Sequence, residues 1–235
     1  MANVKRNIRA VLNSLKKKKY TIYDRPYELN IVGIREDSTV PNKFDDTMYV
    51  IWKDDKGEWE GKNYPMTTDP GTYYLTVKQL SDLGTAILKE GQYKNTYGLG
   101  THYTYEALTQ RKPVTVYRDY NRDAVLDFNN GREETGLFGI NIHRASKTGI
   151  PISVDEYSAG CQVFQNPDDF AEFMQLARKQ RDLYGNSFTY SLIDERAFNR
   201  MLKRRGTYII LSVLALASIW SAYRWYNNKP ILKLK

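Results

Sequence analysis

From Tyr27 onward the chain is a succession of short apolar stretches of period two, cut apart by clusters of Gly, Pro, Asn and Asp, and few architectures accommodate such a pattern. YELNIVGIR reads as a strand. MYVIWKDDKGEWEGKNYPM reads as a β-hairpin turning at Asp55-Lys56-Gly57. TYYLTV, KPVTVYRD, LFGINIH and, near the end, SFTYSLI continue as strands. The nineteen tyrosines fit this picture, because aromatic rings pack well on pleated surfaces and also suit stacking on sugars and peptides. The expected fold class is therefore mainly β, of the α+β kind.

Helices flank this body. Val4, Ile8, Val11, Leu12 and Leu15 recur at helical spacing, so residues 1–20 form a basic amphipathic helix that either packs on the domain or lies on a membrane surface. Asn166 is a good N-cap, with Pro167 at the first helical position and Asp168 and Asp169 complementing the positive helix end. Phe170, Phe173, Met174 and Ala177 share the apolar face that follows, and Gly185-Asn186 ends it. The expected organisation is a domain over 21–193, a basic helix over 194–205, a hydrophobic helix over 206–226 and a basic tail over 227–235. Gly206–Tyr223 is an uncharged run of 18 residues, about 27 Å long as a helix, against a hydrocarbon core of roughly 30 Å. Trp220, Tyr223, Trp225 and Tyr226 suit an interfacial belt. The expectation is a chain associated with a membrane, or buried in an assembly such as a virion, through 206–226.

A net charge of +8 favours an anionic partner: an acidic wall polymer, an anionic lipid or nucleic acid. No nucleic-acid fold signature accompanies it, so nucleic acid is set aside. One cysteine excludes an intrachain disulfide, and the basic N-terminus lacks the continuous apolar core of a secretory signal.

GINIHRASKTGIPISVDEYSAGCQVF carries the chemistry. His143 closes an apolar strand; fourteen residues separate it from Ser158, which Ala159, Gly160 and Cys161 follow. A thiol attacks only as thiolate, and an imidazole can take its proton, which makes Cys161 a candidate nucleophile and His143 its base. The small Ala159 and Gly160 allow close approach of a carbonyl, the amide of Cys161 and its neighbours suit an oxyanion, and Ser158 is placed to orient the site or donate a hydrogen bond. Taken singly, Cys161 also reads as a buried small hydrophobe and His143 as a structural histidine.

The pattern H-x14-S-x-G-C resembles the signature of the L,D-transpeptidases, in which a histidine precedes an S/T-H-G-C box by a similar distance. TTDPGTYYL, with Pro70 and Gly71, resembles the T-P-x-G-x-F/Y segment upstream in that family. The likeness spans roughly residues 27–165, and YELNIVGIR, NKFDDTMYVIWKD and YSAGCQVF resemble members carried by bacteriophages. It implies a mixed β-sandwich or barrel, a cysteine acyl-enzyme formed on a peptidoglycan stem peptide, and transfer to an amine (L,D-transpeptidase) or to water (L,D-peptidase), with no cofactor required. Phage-borne likeness further implies work in cell-wall penetration or lysis. Ala159 stands where the family usually has a second histidine, and Gln162-Val163 replaces an apolar residue followed by Asn or Arg. The alternative is a catalytically inactive structural or virion protein that keeps the fold.

Arg144, Arg118 and Arg122 are candidates to hold a substrate carboxylate, and His102 to line the cleft. Asp119, Asn121, Asp123 and Asp127 resemble the start of an EF-hand loop and offer a calcium site, although Ala124 and Asn130 stand where such a loop needs Gly and Glu. A zinc site from His102, His143 and Cys161 lacks any close-spaced ligand pair. If a thiolate–imidazolium pair forms, iodoacetamide should label Cys161 fastest near neutral pH.

Overall fold

The computed structural model describes residues 2–128 and 132–195, with side chains from residue 7 onward. A helix, α1 (Ala2–Lys17), precedes β1 (Asn30–Arg35), β2 (Asp46–Lys53) and β3 (Trp59–Thr67). Then come β4 (Thr85–Leu88), β5 (Gly91–His102), β6 (Tyr105–Gln110), β7 (Val114–Asp119), β8 (Glu133–Gly136), β9 (Ile142–Arg144) and β10 (Gln162–Phe164). The last elements are α2 (Pro167–Tyr184) and β11 (Phe188–Asp194). Eight strands close a barrel in the order β1-β11-β5-β6-β9-β10-β3-β2, and β4-β7-β8 make a separate three-stranded sheet. The protein is mainly β, as its alternation predicts.

Local chemistry accounts for the regular elements. In the β2–β3 hairpin Asp54 Oδ1 accepts from the amides of Lys56 and Glu58, and Gly57 takes the positive φ of 79°. Asn166 Oδ1 caps α2 by accepting from the Asp168 amide at 2.9 Å, and Gly185 ends it at φ 88°. Met48, Val50, Trp52, Leu99, Leu108, Ile142, Phe164 and Tyr190 join one buried core, against which α2 sets Phe170, Phe173, Met174 and Ala177. The helix α1 lays Ile8, Val11 and Leu15 on Val32, Ile51 and Ile193, and leaves Lys16, Lys17 and Lys19 exposed. Each such buried side chain contributes roughly 1.5–3 kcal/mol, so the apolar face of α1 is committed to the barrel.

Three expectations change. TYYLTV is no strand: Tyr73–Val77 is a π-helical turn. The chain bends at Thr68-Asp69, and the amides of Tyr74 and Leu75 both donate to the Gly71 carbonyl, leaving no free edge to pair. Of LFGINIH only the end is a strand, since β9 begins at Ile142. The expected membrane location is corrected as well: among the described residues no helix is long and apolar enough to cross a membrane. Asp194, where a basic helix was expected to begin, closes β11; the rest of that helix from residue 196, the run 206–226 and the tail 227–235 lie outside the described residues.

Candidate active site

The parallel neighbours β9 and β10 set His143 beside Val163 and Ile142 beside Gln162. Ile142 and Phe164 belong to the barrel core, and the Gln162 side chain accepts from the Tyr190 hydroxyl at 2.7 Å. Alternation along both strands therefore turns Asn141, His143 and Cys161 to the opposite, outer face.

The turn that delivers Cys161 is tightly specified. Ser158 is buried; its hydroxyl donates to the Cys161 carbonyl at 3.0 Å and accepts from the Gly160 amide at 3.1 Å. Gly160 sits at φ 118°, where a Cβ would lie 2.2 Å from the Ala86 carbonyl oxygen, so only glycine fits. The Gly71 amide donates to the Ser158 carbonyl at 2.9 Å, and a Cβ on Gly71 would come within 2.0 Å of the Asp155 carbonyl. The TTDPG and SAGC segments, far apart in sequence, thus brace each other.

Cys161, His143, His102, Tyr105, Arg144 and Arg118 line one cavity of about 660 Å³, together with Ala159, Tyr74, Tyr103 and Phe138. The His143 ring is held on one side. Its Nδ1 lies 2.8 Å from the Arg144 carbonyl and 3.2 Å from the Tyr105 hydroxyl, which itself donates to that same carbonyl at 3.1 Å. A carbonyl can only accept, so Nδ1 carries the proton and Nε2 is left as the lone-pair nitrogen. Burial, with His102 and Arg144 nearby, pushes His143 down to about 3, so the ring is neutral over the physiological range. His102 stacks on it with ring centroids 4.1 Å apart and planes 22° from parallel.

The thiol rests elsewhere. Cys161 Sγ donates to the Gly139 carbonyl at 3.4 Å and accepts from the Asn141 amide at 3.4 Å, and it makes no hydrogen bond to His143. Cys161 is half-buried, and desolvation pushes its thiol up to about 11. A thiol above and an imidazole below neutrality give a resting pair of thiol and neutral imidazole. Labelling fastest near neutral pH is accordingly not what this site implies. The expected result is iodoacetamide labelling of Cys161 that rises about tenfold per pH unit from 7 to 10, following the thiolate fraction. A rate already flat below pH 8 would instead reveal a preformed ion pair.

The remaining predicted residues divide. The Arg144 guanidinium lies over the Tyr105 ring, 3.9 Å from its centroid, in the cavity wall. Arg118 also reaches the cavity but is tied to Glu134 at 2.7 Å and to the Gly84 carbonyl at 3.0 Å. Arg122 is exposed on the turn after β7, at φ 60°. In the Asp119–Asp127 loop the Asn121 amide donates to Asp123 at 3.0 Å and to Asp127 at 2.8 Å, pointing a donor where a cation would stand. Among the described residues no three His, Cys, Asp or Glu are grouped as a metal would need. Asp119, pushed up to about 6 by burial and by Asp127 and Asp123, accepts from the Asp127 amide at 3.0 Å, and the loop reads as a turn network.

Sequence reasoning passed over Asn141 and Tyr105. Asn141 precedes His143 by two residues in an alternating strand, so period two alone puts both on one face. Tyr105 stands directly opposite His102 across the β5–β6 hairpin. Neither a family model, nor a curated protein, nor a solved structure matches this chain.

Proposed function

We infer that this protein is a cysteine acyl-transfer enzyme of the L,D-transpeptidase kind, acting on peptidoglycan stem peptides. The observation that carries the reading is that His143 and Cys161 line one cavity while His143 Nδ1 sits 2.8 Å from the Arg144 carbonyl, an arrangement that assigns the proton to Nδ1 and the lone pair to Nε2. The resemblance of His143, Ser158, Gly160 and Cys161 to the family signature supplies the substrate class.

The chemistry follows from these groups. The Cys161 thiol turns from the Gly139 carbonyl and gives its proton to His143 Nε2. Its sulfur then bonds to the scissile carbonyl carbon, and the carbonyl π pair moves to oxygen. Collapse breaks the C–N bond, and the departing amine takes the proton from the imidazolium. An acceptor amine then yields a crosslink and water yields a shortened peptide. Arg144 stands where a substrate carboxylate would find a charged partner.

A fold-retaining protein without turnover is the second reading, favoured by the raised thiol and by its bonds to Gly139 and Asn141. Incubating the full chain with purified sacculi separates the two. The expected result is new muropeptides together with a stem-peptide acyl adduct on Cys161 in the intact mass spectrum. Neither adduct nor product, under conditions where Cys161 still alkylates, would leave the second reading.

A further inference from the structure

An acyl-transfer site must hold the oxygen that becomes negative when sulfur adds to the carbonyl, and removing one such donor costs about 10²–10³ in rate. The backbone offers less than the motif suggests. The Gly160 amide already donates to Ser158 and the Gln162 amide to the Asn141 carbonyl. Of the amides from Gly160 to Gln162 that leaves Cys161's, and the Ala159 side chain brings no polar group where a second imidazole would stand.

His102 fills that lack from a different part of the chain. The Gln110 amide donates to Asn141 Oδ1 at 2.9 Å, which fixes the orientation of the Asn141 side chain. Asn141 Nδ2 therefore donates to His102 Nδ1, 3.1 Å away. His102 Nδ1 is then the lone-pair nitrogen, and the proton sits on Nε2, for which no described residue is the acceptor. The two stacked rings thus carry opposite tautomers, His143 with a base at Nε2 and His102 with a donor at Nε2. Burial lowers His102, so it stays neutral and keeps this arrangement at neutral pH. Asn141 joins the parts: its backbone amide meets Cys161 Sγ, and its side chain sets the His102 tautomer.

We propose that His102 Nε2–H is the second oxyanion donor of this site, a catalytic residue brought in from the end of β5 and held in its donor tautomer by Asn141. The role rests on the acyl-transfer reading but not on its substrate. When sulfur bonds to the carbonyl carbon, the electron pair left on oxygen accepts from the Cys161 amide and from His102 Nε2–H. No proton leaves His102, and the pair returns to the carbonyl as the leaving group departs.

The test compares two reactions of the same thiol in the full chain. Acylation by p-nitrophenyl acetate passes through an oxyanion; alkylation by iodoacetamide does not. His102→Phe keeps a ring to stack on His143 and has no donor, whereas His102→Gln loses the ring and keeps an N–H. The expected result is acylation slowed about 10²-fold or more in His102→Phe and within about tenfold of wild type in His102→Gln, with alkylation changed less than about threefold in both. Acylation that survives in Phe, or a Phe variant in which alkylation falls as far as acylation, overturns the proposal. On the unmutated chain, long-range ¹H–¹⁵N spectra should place the proton of His102 on Nε2 and that of His143 on Nδ1. A proton on His102 Nδ1 overturns it independently of any variant, as does a wild-type chain that alkylates and does not acylate. Sacculi left untouched while the Phe/Gln split persists would remove the peptidoglycan substrate and leave the role of His102 standing.

Discussion

Cys161→Ala is expected to reduce processing of muropeptides by about 10⁴-fold or more, leaving only background hydrolysis. The substitution removes one sulfur from a half-buried position, so the melting temperature should stay close to that of the wild type and loss of turnover cannot be ascribed to unfolding. His143→Ala should cost nearly as much, because without Nε2 as acceptor a thiol held near 11 is almost wholly protonated at pH 7. The double variant should then lose little more than either single one, since base and nucleophile act as a unit. Additive losses would mean that His143 works separately from the thiol. Unchanged turnover in Cys161→Ala on purified sacculi would end the acyl-enzyme account.

Arg35→Met should destabilise the fold by about 3–5 kcal/mol, lowering the melting temperature on the order of 10 °C. Arg35 is fully buried at the end of β1. Its Nε pairs with Asp69 at 2.8 Å and donates to the Thr68 hydroxyl at 2.8 Å, while Nη1 and Nη2 reach the carbonyls of Leu88 and Thr68. Asp46, which accepts from the amides of Glu36 and Thr68, is pushed up by burial beside Asp69, so this pocket already holds as much negative charge as it tolerates. Removing the buried Arg35 guanidinium takes away the positive charge that faces Asp69 and Asp46 in this pocket. The effect should reach the site, since Arg35 grips Thr68 and Asp69, and Gly71 two residues on braces Ser158. Chemical denaturation of the two proteins measures the difference. A loss under about 1 kcal/mol would mean that water or a rearranged carboxylate replaces the arginine.

The strands of the barrel, the hairpin around Asp54–Gly57 and the start of α2 at Asn166 were legible because each is decided within a few residues: by side-chain alternation, by a positive φ that glycine accepts, by a side chain reaching the amide two positions ahead. Cys161 and His143 stood out for the same reason, lying on one continuous segment with a recognisable spacing, and the structure sets both on the lining of one cavity. TYYLTV was misread because its β-branched and aromatic residues favour a strand, while the bond that holds the Gly71 amide to the Ser158 carbonyl joins it to a distant part of the chain. Arg35 looked like the polar end of a strand. Barrel closure made it a buried hub, since Thr68 and Leu88, 33 and 53 residues away, converge on it. His102 is the sharpest case. It stands on the β5–β6 hairpin, and it reaches His143 only because β6 lies beside β9 when the barrel closes. The sequence determined which residues can do chemistry and which local elements present them. Only the tertiary structure decided which imidazole meets which and on which nitrogen His102 keeps its proton, because the Gln110–Asn141 and Asn141–His102 bonds join partners 31 and 39 residues apart, whereas His143 is oriented by the carbonyl of its own neighbour, Arg144.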